Sequence, residues 1–275
     1  MVQISADIPA SLKTALDEKA ARSGGVSSIV TTALARFLEE PIHTIFQVST
    51  SGALVRGVDD REVSVKTLLE HGDFGLGTFA DLDGEMAVIE GRAYQIHGTG
   101  RVSEPSPDAG APFAVVTRFE PNIDVSTGPV GRFKDLEASC DAFRRSGNIF
   151  YALRLDGRFK KVRARAVNPA KGGTGLVDAA KAQSEFSFAD LEGTLIGLWS
   201  PGFSSAFSVP GYHFHFLSAD RQHGGHLLDL AADPLRLRVE PLTNFHLVLP
   251  ETEAFLKADL SEDTTAQLAY AEKAH

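Results

Sequence analysis

The sequence predicts an α+β protein with mixed and antiparallel sheets in two tandem lobes, preceded by a small strand–helix–helix segment. Three observations lead there. From Ile42 onward, short β-like segments are separated by turn signals. Helical stretches fall between them without the strict alternation of a parallel α/β sheet. The first forty residues instead follow mainly a helical period. A Pro/Gly-rich zone, NPAKGGTG at residues 168–175, divides the body into its lobes. The domain boundaries read this way are 1–40 and 41–275.

The 275 residues are 43% hydrophobic and 23% charged, as in ordinary globular chains. The opening MVQISADIPASLK lacks a basic start followed by an apolar core, and no apolar run reaches the roughly 18 residues that span a bilayer. With a single cysteine, Cys140, no intrachain disulfide can form. A cytoplasmic location is expected, with no membrane partner, and Cys140 reads as a small buried apolar residue. The net charge of −9 disfavours general affinity for nucleic acid.

In VQISADI, Val2, Ile4, Ala6 and Ile8 share one face of an expected strand. Pro9 starts a helix striped with Leu12, Ala15, Leu16 and Ala20, and Gly24-Gly25 stops it. Ser27 is the expected N-cap of a second helix carrying Ile29, Val30, Ala33, Leu34, Phe37 and Leu38, ended by Pro41. Elements this small cannot bury a core alone, so the strand calls for a partner, most simply from a second copy. This pattern resembles the ribbon-helix-helix family, which implies a homodimer. Many members of that family also read DNA. Here the outward residues are Gln3, Ser5 and Asp7, and four basic residues of the segment face five acidic ones. A reader of base edges and phosphates needs Arg or Lys there, so a dimerisation segment is expected.

In the body, TSGALVRG, GEMAVIEGRAYQIHGTGRV, APFAVVTRF, NIFYALRLDGRFKKVRARAV, GTLIGLWS, YHFHFLSA, HLLDLAA and RLRVEPLTNFHLVL are β-like, while SVKTLLEHG, PVGRFKDLEASCDAFRRSG and SFADLEG are helical. Asp83-Gly84, Glu90-Gly91 and Asp156-Gly157 are expected hairpin turns. The polar tail SEDTTAQLAYAEKAH is expected to fray.

The chemical signal lies in GYHFHFLSADRQHGGHLLDL. On a strand, His213 and His215 project from one face and Phe214 and Phe216 from the other. A hairpin with Asp220-Arg221 at its tip pairs Leu217 with Gly224 and sets His215 opposite His226. Three imidazoles then converge, with His223 pointing away. Three neutral imidazoles and an open position suit a catalytic metal, zinc first, with other divalent transition metals allowed by the ligand type. His43, His71, His97, His246 and His275 read as structural or surface residues.

With these residues on the page, the chain resembles the acetolactate decarboxylases over about residues 42–273. The matching blocks are STSGALVRGV, HGDFGLGTFADLDGEM, AVVTRF, NIFYALRLDGRF, VRARAV, GTLIGLWSP and GYHFHFLSADRQHGGHLLDL. The resemblance implies a zinc enzyme of two tandem lobes with the metal at their junction, held by His213, His215 and His226. It also implies that (S)-2-acetolactate, a small 2-hydroxy-3-keto acid, is converted to (R)-acetoin and CO2 through an enediolate. It places site roles on Glu85, Arg165, Thr78 and Glu272, with Glu251, Glu253 and Glu262 as alternatives to the last. The competing expectation, drawn from the first forty residues, is a metal-responsive ribbon-helix-helix regulator.

Overall fold

A computed structural model describes residues 4–20, 25–38, 42–169 and 175–272. The chain separates into two compact units, residues 1–42 and 43–275.

In the first unit, α1 (Ala10–Ala20) begins directly after Pro9, and α2 (Val26–Phe37) follows. Gly25 closes the first helix with a positive φ of 95°, its N–H donating to the Ala20 carbonyl. That is the left-handed cap conformation in which glycine carries no Cβ penalty. Helix α2 starts one residue before Ser27, so Ser27 lies inside its first turn rather than capping it. Residues 4–8, the described part of the strand expected over 2–8, have no regular structure. A strand without a ladder leaves its backbone groups unpaired, and this single chain sets none beside it among the described residues. Val2, Gly24 and Pro41 lie outside the described residues.

The second unit runs β1 (Thr44–Val48), α3 (Ser51–Val55), β2 (Val63–Ser64), α4 (Val65–His71), β3 (Phe74–Thr78), β4 (Glu85–Ile89), β5 (Arg92–Ile96), β6 (Val102–Ser103), β7 (Gly110–Ala111) and β8 (Phe113–Thr117). There follow β9 (Ile123–Ser126), α5 (Phe133–Asp141), β10 (Phe150–Ala166), α6 (Leu176–Lys181), β11 (Ser184–Ser200), β12 (Gly211–Ser218), β13 (Gly224–Ala232), β14 (Arg236–Leu242), β15 (Asn244–Val248), α7 (Glu253–Lys257) and α8 (Thr265–Glu272). A seven-stranded sheet is ordered β15-β1-β8-β3-β4-β5-β6, and a six-stranded sheet β11-β12-β13-β10-β14-β9. The β1–β15 pair is parallel and the other pairs of both sheets are antiparallel, so the sheets are mixed and antiparallel as expected.

Strand alternation explains the layering. Leu76, Ala87, Ile89 and Ile96 of the first sheet share one core with Ala152, Ile196, Leu198 and Leu217 of the second. The opposite face of the first sheet packs Met86, Val88 and Val116 with Val65 and Leu68 of α4. The opposite face of the second packs Phe214, Phe216 and Leu227 with Leu136 and Cys140 of α5. Cys140 is buried there, and burial pushes its thiol far above the ordinary range, as an inert core cysteine requires.

Several local expectations change. TSGALVRG forms helix α3, because the Thr50 side chain accepts from the Ala53 N–H and caps it. SFADLEG belongs to strand β11, paired along its length with β10. Asp156-Gly157 is not a hairpin tip but lies within β10, where that strand passes from pairing with β14 to pairing with β13. The strands either side of 168–175, β10 and β11, belong to one sheet, so that zone does not divide the sheets. The chain instead crosses between the sheets after β8 and returns after β14. The tail does not fray at 265–272: α8 buries Leu268 and Ala271 in the core that also holds Leu54 and Leu176.

Candidate metal centre and active site

The β12–β13 hairpin has the anticipated register, His215 opposite His226 and Leu217 opposite Gly224. His213 and His215 therefore face the first sheet while Phe214 and Phe216 face the outer core. His223 stands apart and packs against Phe188, ring centroids 5.0 Å apart.

The three ring nitrogens lie within 4.8 Å of one another. His213 Nε2 and His226 Nδ1 are 3.1 Å apart. His215 Nδ1 lies 2.7 Å from the Met86 carbonyl oxygen, which can only accept, so Nδ1 carries the hydrogen and Nε2 keeps its lone pair. That Nε2 is buried with no hydrogen-bond partner in the chain. Burial, with Arg165 adding to it, lowers the pKa of His213 to about 3. Burial likewise lowers His215 to about 3 and His226 well below the usual histidine range. All three rings are thus neutral, the form that coordinates a cation.

Two carboxylates complete the cluster. Glu85 comes from the first strand residue after the Asp83-Gly84 turn, opposite Thr78 on β3. Its Oε2 lies 3.7 Å from His215 Nε2, and its Oε1 accepts the Val167 N–H at 3.3 Å. Burial raises its pKa to about 7, against the opposing pull of Arg165 and with a further push from Glu272. Glu272, in the last turn of α8, places Oε2 at 3.6 Å from His226 Nδ1 and 3.7 Å from His213 Nε2. That oxygen too is buried without a hydrogen-bond partner. Nitrogen and oxygen ligands about 2.1 Å from a shared cation in a tetrahedron stand about 3.4 Å apart. Three neutral imidazoles within 4.8 Å of one another, one of them with an orphaned lone-pair nitrogen, could hold a metal, with Glu272 Oε2 at 3.6–3.7 Å from two of the rings and Glu85 Oε2 at 3.7 Å from the third.

Arg165 pairs with His226 across β10 and β13. It is 5% exposed, its Nη1 donates to Gln183 Oε1 at 2.5 Å, and its Nη2 lies 3.7 Å from Glu272 Oε2. Thr78 donates its hydroxyl to the Gly84 carbonyl at 2.8 Å, which fixes the turn leading into Glu85. A pocket joins Thr78, Glu85, Arg165, His213, His226 and Glu272 to an apolar lining that includes Leu54, Phe113, Val167, Val209 and Leu268.

The structure thus gathers every residue singled out for the site. Of the alternatives to Glu272, Glu262 is engaged with Arg56, and Glu253 pairs with Lys257. Glu251 lines a separate groove. Sequence reasoning did not reach Gln183, the Met86 carbonyl or the Val167 N–H. Main-chain partners leave no mark in a side-chain pattern.

Among proteins of known sequence, alpha-acetolactate decarboxylase of Brevibacillus brevis is 40% identical over 233 residues, 84% of this chain and 82% of the relative. That of Methylococcus capsulatus is 40% identical over 231 residues, 84% of this chain and 89% of the relative. The crystal structure of alpha-acetolactate decarboxylase from Bacillus subtilis strain 168 superposes with a TM-score of 0.81 at 32% identity, covering 84% of this chain and all of that one. A profile of the family matches residues 45–262. The histidine hairpin, the two sheets that enclose it and these likenesses agree: the chain belongs to the alpha-acetolactate decarboxylase family.

Proposed function

We propose that this protein is a metal-dependent carboxy-lyase that converts (S)-2-acetolactate to (R)-acetoin and CO2. The observation that carries the reading is the convergence of three neutral imidazoles and two buried carboxyl groups beside a buried guanidinium. Loss of CO2 leaves an electron pair that must move onto the neighbouring ketone, and stabilising that charge lowers the barrier. His213, His215 and His226 would hold a divalent cation, zinc as the first choice, and when bound it would supply Lewis acidity toward the substrate oxygens.

The chain's own residues do the rest. Arg165 presents a planar fork of donors to the substrate carboxylate and aligns the bond to be broken. The carboxyl of Glu85 holds the proton delivered to the carbon that CO2 leaves, and its fixed position in β4 selects one face and so one hand of acetoin. Thr78 holds the turn that places it. Leu54, Phe113, Val167 and Val209 offer apolar contacts to the two methyl groups and limit water near the developing charge.

The test is direct. Purified protein is assayed for acetoin and CO2 from acetolactate, before and after chelation and after metal is restored. His213→Ala, with its fold checked by circular dichroism, is expected to lose turnover. Activity unchanged by either treatment would refute the assignment. The competing reading as a regulator is not favoured, since the family match spans the body and residues 2–8 carry no Lys or Arg.

We also propose that the first unit is a homodimerisation segment and not a nucleic-acid reader. In support, Leu12, Phe37 and Leu38 are 54%, 84% and 61% exposed, a large apolar display for two short helices. Sedimentation of the whole chain and of a form lacking residues 1–40 checks this: a shortened form that keeps the same number of protomers per particle as the whole chain overturns it. No helix among the described residues is long and apolar enough to cross a membrane.

A further inference from the structure

We infer that Gln183 is a positioning residue, which aims the Arg165 guanidinium so that its Nε–Nη2 edge meets the carboxylate of the substrate. The inference rests on the proposed decarboxylase reading and names the group that prepares its anion site.

The placement follows from strand register. Arg165 lies directly opposite Glu185 in the β10–β11 ladder, and Ala166 opposite Ser184. Gln183, two residues before Glu185, is thus the diagonal neighbour of Arg165 on the same face, within reach of long side chains. The observed bond, Arg165 Nη1 to Gln183 Oε1 at 2.5 Å, is that diagonal contact. Glu185 is exposed, and among the described ion pairs Arg165 meets Glu272 rather than Glu185.

Gln183 is itself held. Both of its chain neighbours are tied to Asn168, whose Nδ2 donates to the Ala182 carbonyl at 2.6 Å and to Ser184 Oγ at 3.1 Å. The side chain therefore acts from a fixed base and does not line the cavity.

The donor inventory then decides what remains. A guanidinium has five N–H groups, and the fork suited to a carboxylate is made by Nε and Nη2. Gln183 occupies Nη1, outside that fork. Nε is buried with no hydrogen-bond partner in the chain, while Nη2 stands too far from Glu272 for a direct hydrogen bond. The unspent donors are those a substrate carboxylate would accept. A neutral amide oxygen also orients the arginine without cancelling its charge, which a carboxylate at position 183 would do.

The test compares a carboxylate-bearing inhibitor, 2-hydroxy-2-methylpropanoate, with the neutral product acetoin, in the metal-loaded whole protein. For Gln183→Leu, loss of a hydrogen bond to a charged group predicts about ten-fold or greater weakening of the hydroxy acid's inhibition constant. The constant for acetoin should stay within about two-fold, and KM should rise more than kcat falls. Gln183→Glu keeps the shape and the acceptor but adds a negative charge, and should weaken the hydroxy acid at least as much while sparing acetoin. Equal weakening of both inhibitors in both variants would show a merely structural role, and no weakening of either would show an idle contact; each overturns the inference. An inactive wild-type protein would instead overturn the decarboxylase reading itself, and is recognised first, in the unmodified chain.

Discussion

Leu268→Ala should detach the helix that carries Glu272 while leaving the two sheets intact. Leu268 is 2% exposed and Ala271 1%, and these are the buried residues of α8, packed in the core with Leu54, Val55 and Leu176. The rest of the helix has little reason to stay, since eight residues are too few for an isolated helix in water. Truncating a buried leucine to alanine costs about 2.7–5 kcal/mol where the site cannot collapse. Spent on one docking equilibrium, even about 2.7 kcal/mol raises the undocked population about a hundred-fold. Hydrogen exchange followed by mass spectrometry reads this directly: amides of 265–272 should exchange about a hundred-fold faster while those of β10 and β12 keep their protection. Acetoin formation at fixed metal should fall with them, and Glu272→Gln should lose activity without the change in exchange. Slow exchange in Leu268→Ala, or full activity in Glu272→Gln, would refute the claim that α8 is docked by this side chain and completes the site.

Three further outcomes are expected. Zinc added to metal-free protein at about a hundred times its dissociation constant should stabilise it by about 2.7 kcal/mol, or a rise in Tm of roughly 5–10 °C for a body this size; His215→Ala should show little of that rise by scanning calorimetry, and an undiminished rise would exclude His215 as a ligand. His43 Nδ1 meets the buried Glu240 at 2.7 Å, and this bond raises the His43 pKa above its ordinary 6.5. The contribution is therefore complete below about pH 6.5 and lost as pH rises through the raised value, so the Tm gap between wild type and His43→Gln should be widest near pH 6 and narrow above it; a gap that widens with pH would reverse the sign. A Cβ at Gly197 would stand 2.1 Å from Phe214 Cε1, so Gly197→Ala should cost about 1–3 kcal/mol in denaturant unfolding by overpacking, and Phe214→Leu in the same chain should return part of it; independent, additive costs would show that the two residues do not compete for space.

What could be read from the sequence was what a short-range rule controls. Strand parity and a two-residue hairpin tip suffice to bring His213, His215 and His226 together, because all three lie on adjoining strands. Glu85 and Arg165 were reached only through the family resemblance. One stands on the opposite sheet and the other on a strand some sixty residues upstream of His226, contacts that no local period encodes. TSGALVRG reads as strand because its Val and Leu are ordinary strand residues, and only the Thr50 cap turns it into helix. Asp156-Gly157 carries a hairpin signal that the context overrides: β14 and β13 pair with successive halves of β10, so the strand continues through the glycine. Glu272 was nameable, but the polar tail concealed that two apolar residues are enough to seat it.

The same geometry ties the chemistry to completion of the fold. The first sheet supplies Glu85 and the Met86 carbonyl, the second supplies the histidines and Arg165, and the final helix supplies Glu272. His215 Nε2, Glu272 Oε2 and Arg165 Nε are buried with no hydrogen-bond partner in the chain, and each such atom costs about 1–3 kcal/mol, more where charge is involved. Two of the three are lone-pair atoms that call for a cation, and the third is a donor that calls for an anion. A metal alone would answer the first two and leave the guanidinium edge unpaired; an anion alone would leave the histidine and the carboxylate unpaired. On the proposed reading, a 2-hydroxy-3-keto acid would bring its carboxylate to the arginine and its oxygens toward the histidines. On the same reading the neutral product would lack that carboxylate, so the proposed site would hold substrate more tightly than product by the contact that the reaction destroys.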